Sequence, residues 1–179
     1  DALDTPQQWA LKFLLADDSI LLDENTPLIL ACQRYSLMTM FFSLNGEEWE
    51  GTPTWATSTD ECTWEGITCT ETLVDATTLG TLDASSSGRL RQRQLHDETT
   101  MERIVTKITL PDKNLAGSIP NEIMAFEHVT DLHLFKNGLT GRLPESIYNL
   151  ANLQRLYLDD NDLRGFISDD IGKLENLED

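Results

Sequence analysis

Basic side chains, cysteines and long apolar runs are all scarce, and each shortage removes a class of function. Lys and Arg number 13 against 31 Asp and Glu, a formal net charge of −18, with a pI near 4.3. Phosphate contacts from Lys and Arg supply most nucleic-acid affinity, so this surface repels phosphate backbones and anionic lipid head groups alike. Nucleic acid is a poor partner for such a chain, and so much acid ordinarily serves as a solvated, soluble surface. There is no uncharged apolar stretch of about 18 residues or more, so nothing reads as a membrane span. The longest apolar region, Leu28 to Leu44, carries Gln33, Arg34, Ser36, Thr39 and Ser43, one narrow polar stripe on a mostly buried helix. Beside Cys62 and Cys69 there is no second Cys or His pair at ligand spacing, which argues against a metal site.

Catalytic signatures are missing too. There is no nucleophile elbow, no phosphate-cradling glycine loop and no H-E-x-x-H, and His96, His128 and His133 fall on different features. Asp159-Asp160-Asn161-Asp162 has the acidity of a calcium loop. Arg164 stands where that loop wants Asp or Asn, and Ile171 where it wants Glu. The chain is read as non-enzymatic, with no catalytic residue, cofactor or metal. It opens on Asp1 with neither Met nor a signal-like segment, and is expected to be a processed or trimmed product whose export signal or anchor is out of sight.

What is present is a repeat. Leu110, Leu134 and Leu158 recur every 24 residues, together with the columns Val105/Val129/Leu153/Leu177, Ile108/Leu132/Leu156, Leu115/Leu139/Leu163, Gly117/Gly141/Gly165, Ile119/Leu143/Ile167 and Ile123/Ile147/Ile171. A period of about 20–29 residues in the pattern L-x-x-L-x-L-x-x-N-x-L is the signature of a leucine-rich repeat. The expected fold is α/β, a right-handed leucine-rich-repeat solenoid with short parallel strands and an α-helical N-terminal cap. Leu110, Leu134 and Leu158, with Ile108, Leu132 and Leu156 two residues before, point inward, so the residues between them point out.

The outward columns are Lys107/Asp131/Arg155, Thr109/His133/Tyr157, Pro111/Phe135/Asp159 and Asp112/Lys136/Asp160. Aromatic rings flanked by charge are what interfaces favour; the alternative is that these rings serve strand propensity alone. Lys107, Thr109, Asp131, His133, Phe135, Lys136, Arg155, Tyr157 and Asp159 are the candidate binding residues. Asn137 and Asn161 stand where this family places its asparagine ladder. Lys113 takes that place in the first unit, cannot accept a hydrogen bond, and predicts a less regular first turn. Gly117, Gly141 and Gly165, followed by Ile119-Pro120 and Leu143-Pro144, resemble the L-x-G-x-I-P segment of the plant-type subclass. The third unit reads Phe166-Ile167-Ser168, and loss of its proline is expected to loosen that turn without changing the fold.

Before the repeats, Thr5, Pro6 and Gln8 form a helix-start signal with a capping box, after which Trp9, Phe13 and Leu14 lie on one face. Thr26-Pro27 repeats the signal, and Asn45-Gly46 supplies a helix stop. Cys62-Thr-Trp64-Glu-Gly66-Ile67-Thr-Cys69, after Trp55, resembles the N-terminal cap of plant-type leucine-rich-repeat proteins, C-x-W-x-G-V-x-C, with Ile67 in place of Val. Gln33-Arg34-Tyr35 through Asn45-Gly46-Glu47-Glu48-Trp49 resembles the cap extension of diatom-type (stramenopile) members. The resemblance implies a Cys62–Cys69 disulfide holding Trp64 against the first repeat, two free buried thiols being the alternative. Cys32 is expected to be a buried free thiol. The segment 71–104 departs from the family pattern. Its centre, with Arg89, Arg91 and Arg93, is expected to be a flexible inserted loop or hairpin, which either docks an acidic partner or neutralises the chain's own acidic surface. The expected division is a cap at 1–70, this insertion at 71–104, and three repeats with the start of a fourth at 105–179.

The resemblance implies an extracytosolic recognition module (secreted, at the cell surface or in an organelle lumen) that binds a protein, peptide or glycan on its concave face. Two alternatives stay open. One is a structural peripheral subunit of a larger, lumenal assembly, motivated by the absence of any N-x-S/T sequon and by the insertion. The other is the ectodomain of a receptor whose anchor lies elsewhere. Leu174 and Leu177 begin a fourth unit whose strand is not reached by Asp179, so further repeats or a partner are expected to cover the last strand.

Overall fold

A computed structural model describes residues 5–16, 27–51, 54–74 and 100–179; Thr26, Arg89, Arg91 and Arg93 lie outside them. Helix α1 spans Pro6–Ala16. Thr5 Oγ1 accepts from the Gln8 amide at 3.2 Å while Gln8 Oε1 accepts from the Thr5 amide at 2.8 Å, the reciprocal capping box that the first residues spell out. Helix α2 spans Leu28–Ser43 and follows Pro27, which makes no side-chain cap hydrogen bond. It stops where Asn45 turns left-handed, at φ 58°.

The polar residues of α2 do not face solvent. Gln33, Arg34, Ser36 and Thr39 are all buried; Thr39 donates to the Tyr35 carbonyl at 2.9 Å in its own helix, while Gln33 and Arg34 answer distant groups. Arg34 donates to the Thr57 and Thr59 carbonyls and to Glu61 at 2.6, 3.0 and 2.7 Å. Gln33 Oε1 accepts from the Val105 amide at 2.7 Å. Cys32, expected in the core, is exposed; the face turned inward at this level belongs to Gln33 and Arg34. On α1, Ala10 and Leu14 are buried, whereas Trp9 is 49% exposed and shares the buried face only in part.

Strands β1 (Ile67–Val74) and β2 (Thr100–Thr109) pair antiparallel. The register slips between Thr68 and Cys69, passing over Thr106. This β-bulge leaves the Val105 amide without a ladder partner, and Gln33 supplies one. From β2 onward each 24-residue unit adds one parallel strand in register: Ile108 pairs with Leu132 in β4 (Asp131–His133), and Leu132 with Leu156 in β6 (Arg155–Tyr157). The sheet order is β1-β2-β4-β6. A 3₁₀ helix follows each turn, at Asn121–Ala125, Glu145–Asn149 and Asp169–Lys173.

A second ladder runs beside the first. β3 (Ala116–Gly117) pairs with β5 (Gly138–Leu139), and its first rung is helical: the Ala116 amide donates to the Leu44 carbonyl at 3.1 Å. Gly117 sits so close beneath the end of α2 that a Cβ would lie 2.3 Å from the Ser43 carbonyl oxygen, and its φ of +117° also suits glycine.

Ile108, Leu110, Leu132 and Leu134 are fully buried, as expected of inward positions, while Leu156 and Leu158 are half-covered. Ile119 is 4% exposed, but its counterpart Ile167 is 72% exposed and Phe166 is 96% exposed. Ser168 takes the place of the proline in this turn. Its Oγ accepts from the Asp170 amide at 3.3 Å, and its own amide, which a proline would lack, donates to the Tyr148 hydroxyl at 3.1 Å.

Candidate functional site on the strand face

The strands are shorter than alternation implies. β4 and β6 end at His133 and Tyr157, and the chain turns left-handed at Lys136 and Asp160, as it does at Asp112 (φ 55°, 53° and 53°). Phe135, Lys136 and Asp159 therefore sit on the turns that rim the face, and Thr109, His133 and Tyr157 on its strands.

The asparagines hold that rim. Asn137 Oδ1 accepts from the Lys113 and Leu115 amides at 3.0 and 3.1 Å, and its Nδ2 donates to the Leu110, Leu134 and Phe135 carbonyls at 2.9, 2.9 and 3.1 Å. Asn161 repeats the pattern one unit on, accepting from Leu139 and donating to Leu134, Leu158 and Asp159. In the first unit Lys113 instead extends to Glu65, at 2.6 Å. That turn contains a second left-handed residue, Asn114, with φ 60°, whose side-chain Nδ2 donates to the Glu48 carbonyl at 3.0 Å. The irregular first turn is thus tied to the N-terminal unit.

Alternation places Asp131 on the outward face, yet it is only 2% exposed. Stacked repeats bring two donors onto it, Arg155 Nε against Oδ1 and Lys107 Nζ at 3.3 Å, and the adjacent Thr130 hydroxyl adds a third at 2.7 Å. Burial works to raise its pKa, but the hydrogen bonds from Arg155, Thr130 and Lys107 outweigh it and bring the value down to about 2. Asp131 is an anchor for two cations rather than a free acid. Since the folded value lies below the unfolded one of about 3.9, its contribution is fully present above pH ~4 and lost as pH falls toward ~2. Asp131→Asn should destabilise the protein at pH 7 by about 1–3 kcal/mol. Urea unfolding should show the gap to wild type closing between pH ~4 and ~2; a constant gap would refute this account.

His133 stacks on Tyr157 with centroids 4.5 Å apart, and Phe135 meets Tyr157 edge-on at 6.5 Å. Burial lowers the His133 pKa; Asp131 pulls against this, while Arg155 and Lys107 reinforce it. Tyr157 donates to Asp179 Oδ2 at 3.1 Å. Sequence reasoning missed Thr130 and Asp179 here. The Thr106/Thr130 column carried a 24-residue signal for the first, and nothing marked the second. Cys62 and Cys69 form a disulfide with Cα atoms 5.5 Å apart. No group of three metal-binding side chains occurs among the described residues, and no described helix is long and apolar enough to cross a membrane.

This architecture is a leucine-rich-repeat solenoid. Two units, residues 128–150 and 152–174, match the Leucine Rich Repeat family model. No curated protein matches the sequence. Among solved structures, the fold is similar to the ectodomain of the receptor kinase SOBIR1 from Arabidopsis thaliana, at 20% identity and a TM-score of 0.59, covering 82% of this chain and 63% of that one. A plant ice-binding protein matches at 20% identity and 0.58, over 83% of this chain and 38% of that one. The ectodomain of the plant membrane receptor kinase GASSHO1/SCHENGEN3 from Arabidopsis thaliana, in complex with CASPARIAN STRIP INTEGRITY FACTOR 2, matches at 26% and 0.51, over 72% of this chain and 12% of that one. The chain spans less than two thirds of each of these structures.

Proposed function

We propose that this protein is a non-enzymatic recognition module in an extracytosolic setting, which binds a protein or peptide across the face made by β2, β4 and β6. The observation that carries the reading is the His133–Tyr157–Phe135 ring cluster. None of these rings belongs to the buried core, and His133 and Tyr157 lie within the field of Arg155, which Asp131 fixes in place. Rigid aromatic and Arg groups around a satisfied ion cluster are the make-up of interface anchors. The Cys62–Cys69 disulfide supports the location, because such bonds persist in oxidising compartments. A solved structure of similar fold, the GASSHO1/SCHENGEN3 ectodomain, is in complex with CASPARIAN STRIP INTEGRITY FACTOR 2. The helical unit at the N-terminus acts in this reading as the cap of the array.

A second reading, a subunit held within a larger assembly, is favoured by the exposed apolar pair Phe166 and Ile167. One experiment separates the two. A photoreactive residue is placed in turn at Phe135, Tyr157, Phe166 and, as a control on a 3₁₀ helix, Met124, and the protein is irradiated in its native extract. Crosslinking at 135 and 157 at least several-fold above 124 is the expected result. Crosslinking at 166 alone would replace the first reading with the second.

A further inference from the structure

Helix α1 carries more apolar surface than α2 covers. Ala10 and Leu14 are buried against the core, while Trp9, Leu11 and Leu15 remain 49%, 51% and 71% exposed. On the Trp9 side the surplus forms a groove. Trp9 and Phe13 face Phe42, with Pro6 and Gly46 beside them and Lys12, Asn45 and Glu47 supplying the polar lining, around a volume of about 650 Å³. Trp9 and Phe42 pack on each other at one end of the groove, with centroids 6.3 Å apart, and Phe42 is braced edge-on by Phe41 at 5.3 Å. Phe41 in turn packs on Trp49 at 5.5 Å, which ties one wall to the core.

We propose that this groove is a second docking site, which takes a basic, apolar-anchored segment of a partner protein. Charge selects the occupant. Glu47 lines the groove, and Glu48 and Glu50 follow it in the sequence, all three exposed, on a molecule of net charge −18. A second copy of this chain would bring those carboxylates against each other, and an anionic bilayer would be repelled. A segment carrying Leu, Ile or Phe at helical spacing fills the aromatic walls, as amphipathic helices do in apolar grooves, and its Lys or Arg residues meet the glutamates. Lys12 Nζ lies 4.9 Å from the Trp9 centroid, so the occupant's apolar side chains belong at the Trp9 end and its basic ones at the Glu47 end.

Trp49, Trp55 and Trp64 are at most 7% exposed, so a ligand-induced emission change reports on Trp9. The probe is a synthetic fifteen-residue peptide with leucines at helical spacing and lysines elsewhere. It is compared with its glutamate twin and with a lysine peptide lacking leucines, each titrated into the full chain. The leucine–lysine peptide should shift the emission to the blue and saturate in the micromolar range, and the other two should leave it unchanged. Glu47→Lys with Glu48→Lys, both surface positions, should weaken binding at least tenfold with an unchanged far-ultraviolet spectrum, and Trp9→Phe should abolish the optical signal. Tyr157→Ala should leave affinity intact, which separates this site from the strand face. Equal binding of all three peptides, no binding of the first, or indifference to the charge reversal would overturn the proposal.

Discussion

Asn137→Ala should destabilise the protein by about 3–5 kcal/mol, against about 1–2 kcal/mol for Asn161→Ala, because each backbone group stranded without a partner costs roughly 1–3 kcal/mol. The asymmetry follows from what each amide serves. Both bridge two units, but Asn137 satisfies one more backbone group, accepting from Lys113 and Leu115 and donating to Leu110, Leu134 and Phe135. Asn161 accepts only from Leu139, and the turn it holds lies next to half-covered leucines, where water can replace lost bonds. The midpoint of urea unfolding should fall with an unchanged slope. Equal losses for the two variants would mean that the ladder is energetically uniform and this reasoning is wrong.

Trp64→Ala should be comparably severe, at about 3–5 kcal/mol, the range for truncating a buried large aromatic. Trp64 is 1% exposed. It packs against Trp55 at 5.2 Å, lies under the Arg34 guanidinium at 5.2 Å, and donates its indole N–H to Thr59 Oγ1 at 3.2 Å. Truncation leaves a cavity and also uncovers a cation that was buried on the strength of its neighbours, which is the more damaging loss. Trp64→Phe keeps a ring beneath Arg34 and should recover more than half of the effect. Thermal melts under non-reducing conditions, with the Cys62–Cys69 bond intact, would show it. If the phenylalanine variant melts with the alanine one, the indole hydrogen bond and not the packing is what matters.

The legible parts of this molecule were those whose partners are near in sequence or one period away. Thr5 and Gln8 cap each other across three positions, and the leucine columns repeat at 24, so helix start, strand register and asparagine ladder could all be read. The inward end of α2 could not, because its partners are remote: Gln33 answers a bulge 72 residues away, and Arg34 answers carbonyls 23 and 25 residues away. Polar residues in an apolar helix suggest solvent when the groups they satisfy are out of view. Asp131 misleads for a related reason. Alternation describes one strand, whereas its burial arises from Lys107 and Arg155 on the strands to either side. Nor do Asp112, Lys136 and Asp160 share a residue type that announces a left-handed turn.

The hydrogen bond from Ala116 to Leu44 makes the last turn of α2 the zeroth rung of a ladder that continues from Gly138 to Leu115, from Thr140 to Gly117, and from Asp162 to Leu139. The helix thus acts as a seed crystal whose phase every later turn inherits. An array whose neighbours are its only supports is thereby held at one end, where the first short ladder strand meets the end of α2 and Gly117 lies against Ser43.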